Sequence, residues 1–207
     1  MSYTLQVGSN ASAERLEKLI AERLKPGADK AKIDARIWDL FGEEWAVVFT
    51  DLSGFSRQVA QFGIIHFLQT IYESERLLVP LIDAHDGVLL KMEGDSMMII
   101  FRRAEKAVEC AIAMQHTLER YNETRSAEEK VLLCVGVGFG KLLRIGDHDV
   151  YGAEVNAASK LGEDTARARE ILVTGAVKEL LEQRPGVRFE PIPEIPPGAK
   201  AAFRLVY

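Results

Sequence analysis

A chain of 207 residues with 47% hydrophobic and 28% charged residues has the balance of one domain with an extension rather than of two full domains. Its formal net charge of −5 offers no basic surface of the kind nucleic acid requires, and no apolar run is long enough to span a bilayer. Cys110 and Cys134 fall inside apolar periodic segments without metal-type spacing, and the four histidines are scattered. Two buried free thiols in a reducing compartment are expected, and no histidine metal cluster. The start, MSYTLQVGSNASAERLEK, lacks the basic-then-apolar layout of a signal peptide, so the expectation is a cytoplasmic protein.

Residues 1–11 read as a polar lead segment. Leu16, Leu19, Ile20 and Leu24 recur at helical spacing until Pro26-Gly27 stops them, and Ile33, Ile37, Trp38 and Phe41 mark a second helix over 30–41 that Gly42 ends. Residues 1–44 are thus expected as an amphipathic helical extension, and 45–207 as the main domain. Trp45 to Thr50 is a continuous apolar run, the pattern of a strand buried on both faces. A long helix follows over 64–84, with Pro80 expected to kink it. Two strands around the turn Glu93-Gly94-Asp95 end near Phe101, and a helix over 104–121 and a strand over 131–137 come next. A helix over 155–161, a strand over 171–173, a helix over 176–181 and a Pro-rich terminal hairpin complete the chain. From 45 to 137 the order is strand, helix, strand, strand, helix, strand. That is the ferredoxin-like βαββαβ order of an α+β fold, with additional strands and helices after it. The order permits a mixed sheet with helices on one face and does not choose a function.

Two carboxylates sit at strand ends: Asp51 closes the first strand and Asp95 lies in the hairpin turn. In this fold those strands can lie adjacent and antiparallel, which brings both side chains to one place. Hard carboxylate oxygens suit Mg²⁺ or Mn²⁺. Gly54 and Phe55 stand where the chain can open a helix whose free N–H groups hold phosphate. Taken alone, each aspartate is more often a cap or a turn residue, and Lys91 a strand-end lysine reaching for water.

The combination of motifs resembles class III nucleotidyl cyclases. Phe49-Thr50-Asp51-Leu52-Ser53-Gly54-Phe55-Ser56 is similar to that family's first metal motif, and Gly87 to Asp95 (GVLLKMEGD) to its G-x-x-x-K-x-x-G-D hairpin. Val135 to Gly140 (VGVGFG) resembles its next strand, and Asp149 to Leu161 (DVYGAEVNAASKL) its D-x-x-G-x-x-V-N helix. The four occur in the family's order. The resemblance implies that Asp51 and Asp95 hold two divalent cations with the Leu52 carbonyl, and that Lys91 and Asp149 read the purine. It implies that Asn156 orients the ribose and that Lys160 stands where the family usually places a triphosphate arginine. It further implies a homodimer whose two composite sites each take metal ligands from one chain and base readers from the other.

A lysine donor with an aspartate acceptor matches the adenine edge, and guanine reverses both groups. The reading is therefore an adenylate cyclase converting ATP to 3′,5′-cyclic AMP and pyrophosphate. The alternative is a cyclase-like module that binds nucleotide or a partner with little or no turnover. A guanylate cyclase would prefer Glu at position 91, and the G-G-[DE]-E-F turn of diguanylate cyclases is absent.

Overall fold

The computed structural model describes residues 10–207, apart from the side chains of 55–58. The expected polar lead segment, up to residue 9, and the Phe55 side chain lie outside the described residues.

The chain runs α1 (Ala11–Arg23), α2 (Lys30–Phe41), β1 (Gly42–Leu52), α3 (Phe55–Phe62), α4 (Ile64–Ala84), β2 (Val88–Glu93), β3 (Ser96–Phe101), α5 (Ala104–Asn122), β4 (Leu133–Ile145), β5 (Asp149–Tyr151), α6 (Ala153–Ser159), a π-helical turn (Lys160–Thr165), β6 (Ile171–Thr174), α7 (Gly175–Leu181), β7 (Arg188–Pro191) and β8 (Ala202–Val206). Eight strands form one sheet in the order β2-β3-β1-β4-β6-β8-β7, with β5 added to the far end of β4. The first four strands have the ferredoxin-like arrangement, and β1 pairs antiparallel with both β3 and β4. The expected α+β architecture is present.

Alternation along β1 decides the two layers. Ala46, Val48 and Leu52 point into a core with Met97, Ile99 and Phe101 of β3 and Val135 and Val137 of β4. Helices α4, α5 and α7 cover that face through Phe67, Leu78, Ile82, Val108, Met114, Leu118 and Val177. Each such side chain contributes about 1.5–3 kcal/mol when fully buried. The in-between residues, Trp45 and Val47, face the other way and meet Met98, Ile100, Leu142, Val150, Val155 and Ala158. Helices are therefore not confined to one face: α6 covers part of the second.

Two glycines explain how α6 lies so close. A Cβ on Gly136 of β4 would stand 2.1 Å from the Ala158 carbonyl and 2.4 Å from Gly162 N, and one on Gly162 would stand 2.7 Å from the Phe49 carbonyl. Backbone rests on backbone there, and any side chain would force the layers apart.

Helix α1 is one residue shifted from its expected span, and α2 matches. Asp29 caps α2 by accepting from Lys32 N at 3.1 Å. Leu19, Ile33, Ile37 and Phe41 pack on Ile145, so the helical pair is seated on the distal half of β4. The expected helix over 64–84 gains a separate neighbour, α3, because Gly63 at φ 85° breaks the run. Helix α4 continues past Pro80 to Ala84. Both cysteines are buried and free, and burial pushes their thiols up, Cys110 to about 12 and Cys134 to about 11. Among the described residues no helix is long and apolar enough to cross a membrane.

Candidate active site

Strand β1 delivers Asp51 to its carboxyl end, and the β2–β3 turn delivers Asp95 beside it. Gly94 makes that turn at φ 62°, a conformation that favours glycine. Ser96 Oγ donates to Asp51 Oδ1 at 3.3 Å, and the Leu52 backbone N–H serves both carboxylates. Burial, then the neighbouring Asp95, pushes the Asp51 carboxyl up to about 6, with Glu163 adding to the effect. Burial also raises Asp95. Among the described side chains, which do not include Arg57, no lysine or arginine acts on either one.

A half-buried carboxylate pair is a donor set that a hard divalent ion fits. Among the described residues no cluster of three or more His, Cys, Asp or Glu side chains is placed to hold a metal ion. A cation held by this pair would take its other positions from backbone oxygens, water and phosphates. The contact of Leu52 with the pair runs through its N–H. Gly54, in a left-handed conformation at φ 95°, caps α3 without a side-chain acceptor for the first N–H groups.

The second half of the site lies on the α6 side of the sheet. A cavity of about 320 Å³ is lined there by Lys91, Asp149, Tyr151, Asn156, Ser96 and Glu163, among others. Lys91 enters it because β2 carries a bulge. Leu89 pairs with Ile99 but Lys91 pairs with Met98, so Leu90 is an extra residue. In unbroken register Lys91 would oppose Met97, which belongs to the core under α4; the bulge moves it opposite Met98, on the cavity face.

Lys91 Nζ donates to Asp149 Oδ2 at 2.7 Å, joining β2 to β5 across 58 residues of sequence. That bond is the main cause that raises the Lys91 ammonium above the usual lysine range. Val150 N donates to Asp149 Oδ1 at 3.0 Å, and the Tyr151 hydroxyl donates to Oδ2 at 3.1 Å. Asn156 projects from α6 and its Nδ2 donates to the Pro197 carbonyl at 3.2 Å.

Of the residues expected from sequence, Lys91, Asp149 and Asn156 thus share one cavity, and Asp51, Leu52 and Asp95 meet at a separate point nearby. Ser96 belongs to both. Lys160 joins neither: it is exposed at the start of the π-helical turn and paired with Asp164. Sequence reasoning did not single out Tyr151, Ser96 or Glu163. Tyr151 had a usable signal, since it lies two residues beyond Asp149 and so on the same face of a strand. Glu163 had none, because its approach to Asp51 depends on the π-helical turn.

A sequence model of the adenylate and guanylate cyclase catalytic domain matches residues 42–201, and the chain belongs to that family. The chain is 27% identical over 144 residues to a putative adenylate cyclase 3 of Rhizobium meliloti, covering 70% of this chain and 24% of that protein. It is 29% identical over 160 residues to the serine/threonine-protein kinase pkn2 of Myxococcus xanthus, covering 77% of this chain and 19% of that one. The chain therefore spans about a fifth to a quarter of these curated relatives. In fold it is similar to an adenylate/guanylate cyclase/hydrolase from Silicibacter pomeroyi, at a TM-score of 0.71 and 22% identity, covering 80% of this chain and 98% of that one.

Proposed function

We propose that the chain is an adenylate cyclase, with residues 1–44 as a helical extension and 45–207 as the catalytic domain. The observation that carries this reading is the Lys91–Asp149 pair on the wall of the cavity. Lys91 uses one of three N–H donors on Asp149 and keeps two for the adenine N1 acceptor. Asp149 keeps acceptor capacity for the exocyclic amine. Guanine presents the opposite pattern and leaves both groups unpaired, a strong basis for rejection. The name of the Rhizobium relative, putative adenylate cyclase 3, agrees with this preference.

In the reaction the ribose 3′-oxygen attacks the α-phosphorus in line, and pyrophosphate leaves. Asp51 and Asp95, with the Leu52 backbone, would hold two divalent cations. Mg²⁺ or Mn²⁺, if held by these residues, would supply a lowered pKa at the 3′-hydroxyl and neutralisation of phosphate charge. Asn156 orients the ribose from α6. The backbone after Gly54, through Phe55, faces phosphate, and Lys160 serves the triphosphate once released from Asp164. The partner copy would complete each site, with metal ligands from one chain and base readers from the other in a two-fold homodimer. ATP is the substrate, the partner is a second copy, and the setting is the cytoplasm.

A second reading, a nucleotide-binding module with little turnover, draws on one observation: Lys160 is tied to Asp164 outside the cavity. Incubation of the purified chain with ATP and with GTP, in Mg²⁺ and in Mn²⁺, with cyclic products read by mass, separates the two. Cyclic AMP that disappears in Asp95→Ala supports the cyclase. No cyclic product from either nucleotide, with dimer present in solution, favours the module.

A further inference from the structure

The pair that reads the base has a third member. An ionised carboxylate offers about four acceptor positions. Three are filled on Asp149: Val150 N–H donates to Oδ1 at 3.0 Å, while Lys91 Nζ at 2.7 Å and the Tyr151 hydroxyl at 3.1 Å both donate to Oδ2. Oδ2 is saturated, and one acceptor position is left on Oδ1.

Strand β5 places the Tyr151 hydroxyl on the carboxylate. Leu143 pairs with Tyr151 and Ile145 with Asp149, which puts both side chains of β5 on one face. The Tyr151 ring also lines a second cavity, of about 370 Å³, together with Leu16, Ile37, Trp38 and Leu143. Its hydroxyl thus reaches the base-reading carboxylate, and the residue lines the cavity that opens toward the N-terminal helices.

We propose that Tyr151 is a positioning residue for purine selection: it saturates Oδ2 and so holds Asp149 with a single free acceptor, on Oδ1, facing the exocyclic position of the base. An amine donor there, as in adenine, completes the carboxylate. A carbonyl oxygen, as in guanine, meets a lone pair. Without the hydroxyl, Oδ2 has a vacant position, and the carboxylate is free to turn about its Cβ–Cγ bond and take water. Adenine then loses its aligned partner, and guanine, which had none, loses little. This inference rests on the adenylate cyclase reading.

Tyr151→Phe removes the hydroxyl and keeps the ring against the second cavity. The experiment compares wild type, Tyr151→Phe and Lys91→Glu. It measures kcat/KM for ATP and GTP, and dissociation constants for 3′-deoxy-ATP and 3′-deoxy-GTP, which lack the attacking hydroxyl and report binding without turnover. In Tyr151→Phe the preference for ATP over GTP is expected to fall about tenfold, with the GTP values within about twofold of wild type. A general loss of packing would lower both nucleotides by the same factor, and that result overturns the proposal. So does an unchanged preference in Tyr151→Phe while Lys91→Glu collapses it; the cyclase reading survives in either case. A wild-type chain that binds the two deoxynucleotides equally and forms no cyclic AMP overturns the cyclase reading and this inference with it.

Discussion

At the tip of β1 and in the β2–β3 turn, Asp51 and Asp95 meet with no cationic side chain beside them among the described residues, and burial drives both toward the protonated form. A few residues back along the same hairpin, Lys91 and Asp149 neutralise each other at 2.7 Å. One region is electrically incomplete and the other complete. An incomplete region gains most from what binds it, which suits cations and phosphates. A complete region gains little from charge and instead selects by hydrogen-bond pattern, which suits a neutral base. Division of labour between the two follows from their electrostatics.

The comparison breaks most sharply at the carboxylates. Asp51→Ala and Asp95→Ala are each expected to lower cyclic AMP formation by about a thousandfold, with circular dichroism unchanged. Mixing Asp51→Ala with Lys91→Ala should restore about a quarter of wild-type activity, since about half the dimers are mixed and each carries one intact site. Heterodimers that form and stay inactive would show that the two regions do not complement across chains.

In stability the largest effect is expected at the seat of α6. Gly136→Ala puts a Cβ 2.1 Å from the Ala158 carbonyl and should cost about 3 kcal/mol in a denaturant titration. A loss under about 1 kcal/mol would mean that the layers separate easily and that the two halves of the site are not rigidly joined.

Deleting Leu90 tests the base-reading region by register alone. Without the extra residue Lys91 follows Leu89 directly and stays opposite Met98, on the cavity face, so ATP preference over GTP should stay within about threefold of wild type. Preference lost in the deletion variant would mean that the bulge does more than bring Lys91 opposite Met98.

Protonation sharpens the contrast on the acidic side. The Asp51 carboxyl lies at about 6 in the folded chain, against 3.8 ordinarily. Between those values the folded chain binds more protons than the unfolded one, so stability falls as pH rises through that window. With chelator present, Asp51→Asn should remove that part of the slope and stabilise the chain at neutral pH. Identical slopes in variant and wild type would mean that the carboxylate is not left uncompensated.

The smallest effect is expected at Lys160. Its partner Asp164 is exposed, and Asp164→Asn frees the ammonium at little energetic consequence. Turnover should rise by less than about fivefold, and a fall would assign Asp164 a role of its own.

Much of this organisation was legible in the sequence and some was not, for identifiable reasons. The continuous apolar run of β1, the helical spacing of α1 and α2 and the Gly-Asp turn are local patterns, and each element stands close to its expected span. Asp51, Lys91, Asp95 and Asp149 were marked by motif. The bulge at Leu90 was hidden because a strand read alone gives no register. Strand β5, three residues long, offers no periodicity to detect, and Tyr151 was missed with it. Coverage of the second face followed from Gly136 and Gly162, whose meaning is a contact between segments distant in sequence.

That glycine contact also determines how the protein can move. With the α6 backbone lying directly on β1 and β4, the helix bearing Asn156 and the strand bearing Asp51 form one mechanical body. Neither slides past the other without breaking the seat. Any opening or closing about a nucleotide is then carried by the β2–β3 hairpin, which brings Lys91 and Asp95 together, or by displacement of a whole second chain. Hydrogen exchange should find the slowest amides along β1, β4 and α6, and faster ones in the hairpin.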